Sequence, residues 1–406
     1  MRVLFINNAF PDVFGPLAAL FAEDAESEVL FLSGYGRREY SIPGVRRVVL
    51  KVNRRHGAYA EERPGPDIDR DYAMAKQACG AFADLRSMGF VPDIVLATAR
   101  RGYALFVPEA CPESFLVGYA GADYAAPDAL TPGGFSADLV QSRLMLHSHV
   151  WCAGPFGKAS LPSTRSASEG RMLASPFCAD TAFFSPGPVS RKGEDISFRI
   201  TDADAFAKSR LDIALPVLLR RRPHCRLILT CGDAGTQEYL RDWTSRLSAD
   251  VSARVAVVRR LDRKLCRDIL RAVRAHAFVG AGAGLAQEVL ESMSCAALTL
   301  VPKDLVPTGE EDNAVIRPGV DGLVHAVSSA EEWLNIFLGI LDDPRTSDAM
   351  GGAARSVILK RYDCRKVLLR HKQLLLDAYS RWKTAAPAGS RLQSACSGDR
   401  DIFRER

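Results

Sequence analysis

The sequence predicts an α/β protein made of two doubly wound, parallel-sheet domains. Three observations carry this. Short apolar runs alternate with helix-period patterns, the signature of repeated βα units. The alternation runs through once to about residue 153 and starts again after Ser175-Pro176. At 406 residues and 47% hydrophobic content, the chain is long enough to build two ordinary cores.

In the first series, strands are expected at Val3–Asn7, Val29–Leu32, Val45–Val49, Ile94–Ala97, Leu116–Tyr119 and Val150–Ala153. Helices are expected at Pro16–Ala25, Arg70–Met88 and Ala137–Leu146, with Pro16 suited to a first helical position. Arg54–Pro66 is charged and carries Gly and two prolines, so it reads as a surface loop. In the second series, strands are expected at Ile196–Arg199, Leu227–Thr230, Val255–Val258, Ala277–Gly280 and Leu298–Val301. Helices fall between them at Ala205–Arg221, Gln237–Leu247 and Lys264–Ala275. Helical periodicity returns at Ala330–Leu341 and from Ser347 to about Trp382. With a link near Ser163–Pro176, the pattern is that of two Rossmann-like domains facing each other, over 1–170 and 171–360. A terminal helix is expected over 361–383, and the Ala, Gly, Ser and Arg content of 384–406 reads as a disordered tail.

Composition narrows the function classes. Charged residues make up 25%, and the net charge of +5 is spread along the chain, compatible with anionic ligands or a membrane surface. No apolar run approaches membrane-spanning length, and Met1-Arg-Val-Leu-Phe-Ile-Asn7 reads as a strand rather than a signal peptide. Ten cysteines are scattered without a Cys-x-x-Cys pair, which reads as reduced, mostly buried thiols in a cytoplasmic protein. His147-Ser-His149 has no third ligand in its neighbourhood, so no metal site is expected there. A Walker-type loop is absent, as is a Gly-x-Gly-x-x-Gly after the first strand, which counts against a nicotinamide dehydrogenase. Basic residues are not interleaved with aromatics, so nucleic-acid binding has no support.

The stretch from Gly280 to Val324 is the richest in chemistry. A small-residue run, Gly280-Ala-Gly-Ala-Gly284, passes into a helical pattern from Leu285, then an apolar strand and the segment Ile316-Arg-Pro-Gly-Val-Asp-Gly-Leu-Val324. A glycine turn that opens a helix leaves backbone N–H groups aimed at an anion such as a diphosphate. Glu288 and Glu291 lie three residues apart on one face of that helix, within reach of a sugar or ribose hydroxyl. An alternative for Glu291 is a surface carboxylate favoured early in a helix by its dipole.

Leu290-Glu291-Ser292-Met293 is similar to the Leu-Glu-Ala-Met-like donor segment of family-4-like, nucleotide-sugar-dependent glycosyltransferases, the retaining group with the fold called GT-B. Further segments follow that group's order: Val3-Leu-Phe-Ile-Asn-Asn-Ala-Phe-Pro-Asp-Val-Phe-Gly15, Phe90-Val-Pro-Asp-Ile-Val-Leu-Ala97, Phe177-Cys-Ala-Asp-Thr-Ala-Phe-Phe-Ser-Pro186, and Arg361-Tyr-Asp363. Leu211–Pro223 and Leu227–Asp233 match the first helix and second strand of its C-terminal domain, and the resemblance covers about residues 1–380.

What the resemblance implies is a sugar transfer from a nucleoside diphosphate donor bound by the C-terminal domain. Glu291 would take the ribose. Arg199, Lys208 and the backbone of Gly284, Leu285, Ala286 and Gln287 would face the diphosphate, with no metal required. Arg199 and Lys208 read equally well as solvated loop charges. The acceptor, a glycan, lipid-linked or protein group, would meet Phe14 and Gly15 in the Phe10–Gly15 loop, Arg100 and Arg101, and Asp123, which reads alternatively as a turn cap. The terminal helix would cross back to the N-terminal domain at Val367–Tyr379, and the protein would sit in the cytoplasm or at the inner face of the membrane. Two departures stand out. Ala283 occupies the position of a glutamate eight residues before Glu291, and Thr98 that of a histidine. They leave room for a catalytically silent, scaffolding member of the group, and behind it for a nucleotide-sugar 2-epimerase.

Overall fold

The computed structural model describes residues 1–36, 40–50, 68–99, 101–120, 132–153, 172–174, 176–187, 193–259, 262–280, 285–303, 315–326 and 329–385. In the first domain the chain runs β1 (Arg2–Phe10), α1 (Gly15–Ala22), β2 (Glu28–Gly36), β3 (Val45–Val49), α2 (Ile68–Ser87), β4 (Ile94–Thr98), α3 (Val107–Ala110), β5 (Phe115–Tyr119), α4 (Pro132–His147), β6 (Val150–Ala153) and β7 (Met172–Ala174). The seven strands are all parallel, in the order β3-β2-β1-β4-β5-β6-β7. A parallel strand covered on both faces is apolar along its whole length, and β1 shows why. Val3 and Phe5 point to the layer holding Phe14, Leu17 and Phe21, while Leu4 and Ile6 point to the layer holding Met74, Ala78 and Phe82.

The second domain repeats the plan. It runs β8 (Ile196–Ile200), α5 (Ala203–Lys208), α6 (Leu211–Arg221), β9 (Leu227–Cys231), α7 (Ala234–Ser245), α8 (Ala249–Ser252), β10 (Val255–Arg259), α9 (Arg263–Ala272), β11 (Ala275–Val279), α10 (Leu285–Ser294), β12 (Leu298–Pro302), β13 (Leu323–His325), α11 (Ala330–Asp342) and α12 (Pro344–Val357). A π-helical turn at Ile358–Tyr362 then leads to α13 (Cys364–Ala385). Six parallel strands lie in the order β10-β9-β8-β11-β12-β13. One face packs Phe198, Leu215, Leu229, Trp333 and Phe337, and the other packs Phe278, Leu290, Met293, Val301 and Ile358.

The structure corrects several expected boundaries. The helix expected over Ala205–Arg221 is two helices. Asp202 caps the first through Ala205 N–H (2.7 Å), and Arg210 takes a left-handed φ of 63° that ends one axis and starts another. The long pattern from Ser347 to Trp382 is likewise divided by the π-helical turn, and Asp343 starts it three residues early by capping Thr346 N–H (3.1 Å). β7 carries the first sheet to Ala174, past the domain boundary expected at 170, and β13 was not foreseen; three residues are too few to show a period-2 pattern. The expected loop Arg54–Pro66 and the link residues 163–171 and 175 lie outside the described residues, as do 386–406 of the expected tail.

α13 packs on the first domain. Leu368 and Leu375 join the cluster of Phe5, Phe14 and Phe21, Lys372 Nζ donates to Leu20 O (2.7 Å), and Arg365 pairs with Glu23 (3.0 Å). Deeper in the contact, Tyr119 Oη and His371 Nε2 share a hydrogen bond of 2.8 Å. Burial pushes the imidazole of His371 down to about 4. Since the folded value lies below the usual 6.5, the unfolded chain takes up a proton first as the pH falls. The stability is therefore complete above about pH 6.5 and is lost toward pH 4, on the order of 2–3 kcal/mol for this one group. Thermal melts between pH 7.5 and 4 are expected to show a steep acid slope that His371→Gln flattens. An unchanged slope in that variant would place the acid sensitivity elsewhere, with His276, held down to about 3 by burial, next in line.

Candidate functional site

In the second sheet the strand order reverses direction between β8 and β11: β9 lies on the outer side of β8 and β12 on the outer side of β11. The C-terminal ends of two such strands diverge into a crevice, the place where open α/β sheets receive ligands. Gly280 leaves β11 with φ 97°, and a Cβ there would fall 1.9 Å from Thr201 Oγ1. Glycine alone fits, and it lets the β8 and β11 exits close together, with Thr201 N–H donating to Val279 O (3.1 Å).

α10 begins just beyond. Leu285, Ala286, Val289, Leu290 and Met293 are buried in it, and helical spacing then places Gln287, Glu288 and Glu291 on the remaining face. Arg199, next to last in β8, reaches across: its Nε donates to Glu288 Oε2 at 2.7 Å and its Nη1 to Ile200 O at 3.1 Å. The pair is partly open to solvent, with 21% of the arginine side chain and 35% of the glutamate exposed.

Glu291 sits one turn further along. Gln287 Nε2 donates to its Oε1 at 3.3 Å. Burial pushes its carboxyl up to about 7; the Gln287 hydrogen bond and the Arg263 charge oppose this, and the carboxylates of Glu288 and Asp180 add to it. Arg263 comes from α9 and lies 5.1 Å and 5.4 Å over the rings of Phe183 and Phe184, with Asp180 at 3.7 Å. A half-buried carboxyl with a raised value, near the charge of Arg263 at the edge of the crevice, can accept hydrogen bonds from hydroxyls, and an arginine there can meet an anion.

Of the residues singled out from sequence, Arg199, Leu285, Ala286, Gln287 and Glu291 are gathered at this edge. Arg199 lies next to last in β8, because the strand runs one residue beyond its expected end at Arg199. Lys208 closes α5 with its ammonium 3.6 Å from Asp204, 81% exposed, and is paired there rather than with the Arg199 cluster. Gly284 and Ala283 lie outside the described residues, as do Arg100 and Asp123. On the first domain, Phe14 gives its ring to the core, 5.5 Å from Phe5 and 4.9 Å from Tyr119, so its side chain is no acceptor surface. Gly15 is buried at the start of α1, where a Cβ would sit 2.7 Å from Pro11 Cβ. Arg101 is half-buried in extended backbone. Thr98 is buried at the end of β4 and donates its hydroxyl to Asn7 Oδ1 (2.8 Å), whose amide in turn donates to Asp12 Oδ2 (2.9 Å). His149 is structural: Nδ1 accepts from Leu116 N–H (2.9 Å) and the ring packs on Phe115 and Trp382. Among the described residues, no group of His, Cys, Asp and Glu is placed to hold a metal ion.

Sequence reasoning missed two features of the site. It read Arg199 and Glu288 separately, although they form one ion pair 89 positions apart along the chain. It also passed over Asp180 and Arg263, which come from the entry segment and α9 and meet only in the fold. The periodicity of α10 does mark Glu288, but nothing in the sequence marks its partner.

A family model described as "Glycosyl transferase family 4 group" matches residues 25–130, about a quarter of the chain. No protein of curated function matches at the sequence level. Solved structures of similar architecture include sucrose-phosphate synthase from Thermosynechococcus elongatus (14% identity, 94% of this chain, 100% of that chain, TM-score 0.64). HepE of Anabaena, in complex with UDP and glucose, is similar over 93% of this chain and 100% of its own (16% identity, TM-score 0.63). The catalytic domain of starch synthase IV from Arabidopsis thaliana, bound to ADP and acarbose, is similar over 94% and 99% (12% identity, TM-score 0.64). The fold is therefore GT-B, two Rossmann-like domains of parallel strands. No described helix is long and apolar enough to cross a membrane.

Proposed function

We propose that the protein is a glycosyltransferase that moves a sugar from a nucleoside diphosphate donor to a glycan, lipid-linked or protein acceptor, with retention at the anomeric carbon. The observation that carries this reading is Glu291. Burial pushes its carboxyl up to about 7, and it lies one turn beyond Glu288, the partner of Arg199, on the same face of α10. In the proposed complex the ribose hydroxyls donate to Glu291 and the diphosphate lies between Arg199 and the N-terminus of α10. As the bond from the anomeric carbon to the diphosphate oxygen breaks, negative charge grows on the leaving group, and the guanidinium and helix dipole stabilise it. This assignment calls for no metal. The family match over residues 25–130 supports it, as do the UDP and glucose bound in HepE and the ADP and acarbose bound in starch synthase IV. An acceptor would enter from the β1 exit and the turn around Arg101, and peripheral contact with a membrane surface is compatible with the net charge of +5.

The ion pair has a consequence for binding. Glu288 occupies the guanidinium that the diphosphate needs, so Glu288→Gln is expected to bind nucleoside diphosphates about tenfold more tightly, roughly 1.4 kcal/mol, in a calorimetric titration. Weaker binding in that variant would mean that Glu288 positions Arg199 instead of competing for it.

The direct test is to supply UDP-, GDP- and ADP-sugars with and without glycan acceptors and to measure released nucleoside diphosphate. Release with one base, abolished in Arg199→Ala, is the expected result. One observation favours a second reading: Thr98, at the end of β4, is buried and spends its hydroxyl on Asn7, which leaves no acid–base group at that position. A nucleotide that binds while no donor is consumed would select a silent, scaffolding member of the same fold.

A further inference from the structure

Two cysteines meet where the chain passes between the domains. The segment 176–187 leads into the second domain, and Cys364 opens α13, which returns to the first. A parallel bridge between Ala179 and Asp363 joins the two segments. Ala179 N–H donates to Tyr362 O (2.8 Å) and Cys364 N–H donates to Ala179 O (2.9 Å), while the Thr181 hydroxyl donates to the Asp363 carboxylate. Cys178 and Cys364 flank this bridge. Both are partly exposed, both carry free thiols, and both pack against the apolar cluster of Phe14 and Leu368.

The thiols act on each other directly. A hydrogen bond between them pushes Cys178 far up and Cys364 down from the ordinary thiol value. Among the described cysteines with a perturbed thiol, Cys79, Cys111, Cys152, Cys225, Cys231 and Cys266 are all pushed up by burial. Among these thiols Cys364 is the one pushed down, with Cys178 as its hydrogen-bond partner.

We propose that Cys178 and Cys364 are a redox pair whose disulfide staples the two segments linking the domains. The oxidant class is a low-molecular-weight disulfide, RSSR. The Cys364 thiolate attacks one of its sulfurs, forms a mixed disulfide and expels RS⁻. Cys178 then gives its proton to solvent, attacks the Cys364 sulfur and expels the second RS⁻. Two protein thiols are oxidised and one RSSR is reduced to two thiols; a dithiol reverses both steps. The closed bridge fixes the entry of the second domain to the first turn of α13, which restrains any motion of one domain against the other. Nothing in this inference depends on the glycosyltransferase reading.

The test uses the full chain, oxidised with glutathione disulfide, alkylated and mapped by mass spectrometry. A cross-linked peptide pair containing Cys178 and Cys364, reversed by dithiothreitol, is the expected result. In Cys178→Ser the glutathione adduct should stay on Cys364, and in Cys364→Ser residue Cys178 should remain unmodified. Both cysteines fully alkylated after oxidation, a stable adduct on Cys364 in the wild type, or preferential pairing with another cysteine would each overturn the proposal.

Discussion

Trp333→Ala is expected to cost about 3–5 kcal/mol, the range for emptying a buried aromatic site. Against a typical domain stability of about 5–15 kcal/mol, that loss leaves the second domain marginal. Trp333 is fully buried, stacked on Phe337 at 5.3 Å and packed against His325 at 4.5 Å. Its Nε1 donates to Ser209 O at 2.8 Å. That carbonyl lies at the break between α5 and α6, so the ring ties α11 to the turn that follows Lys208. The cavity left by alanine removes the stacking and orphans Ser209 O together. Trp333→Phe separates the two: it keeps most of the packing and is expected to lose about 1–3 kcal/mol for the orphaned acceptor. Urea denaturation of the three proteins measures the difference. An alanine variant within about 1 kcal/mol of wild type would contradict the packing described here.

Glu291 is expected to show opposite effects on stability and on binding. Burial holds its folded carboxyl near 7, above the ordinary 4.5, so the folded chain keeps a proton that the unfolded chain releases. Its contribution is therefore favourable below about pH 4.5 and is lost as the pH rises through 7. At pH 8, Glu291→Gln removes a desolvated charge and should stabilise the protein by about 1–3 kcal/mol, an advantage that vanishes at pH 4. Glu291→Ala should weaken nucleoside diphosphate binding ten- to a hundredfold, the worth of hydrogen bonds to a charged acceptor. A glutamine variant that is less stable at pH 8 would mean that the carboxylate is held by partners rather than strained by burial.

Much of the fold was legible because a parallel strand buried on both faces is apolar throughout, as Val3-Leu-Phe-Ile6 and Ile94-Val-Leu-Ala97 are. Helix ends were less legible, since they depend on single residues. Asp202 and Asp343 cap through side chains, Arg210 adopts a left-handed conformation, and no periodicity announces either event. The site divides in the same way. Gly280 and the face of α10 are local features, and the sequence marks both. The Arg199–Glu288 pair and the Asp180–Arg263 wall join residues far apart in the chain, and only the sheet order brings them to one crevice. Phe14 was misread for the same reason: a loop aromatic beside Phe5 and Tyr119 belongs to the core, which its neighbours in sequence do not reveal.

The measurement that bears most directly on the proposed donor site is a thermal-shift screen with UDP, GDP, ADP, CMP and dTDP, run on wild type, Arg199→Ala and Glu291→Ala. A ligand that binds the folded state alone raises the melting temperature in proportion to the logarithm of its concentration over its dissociation constant. One nucleoside diphosphate is expected to stabilise the wild type, with its shift lost in both variants. No shift with any nucleotide, or one that persists in both variants, would contradict the proposed donor site.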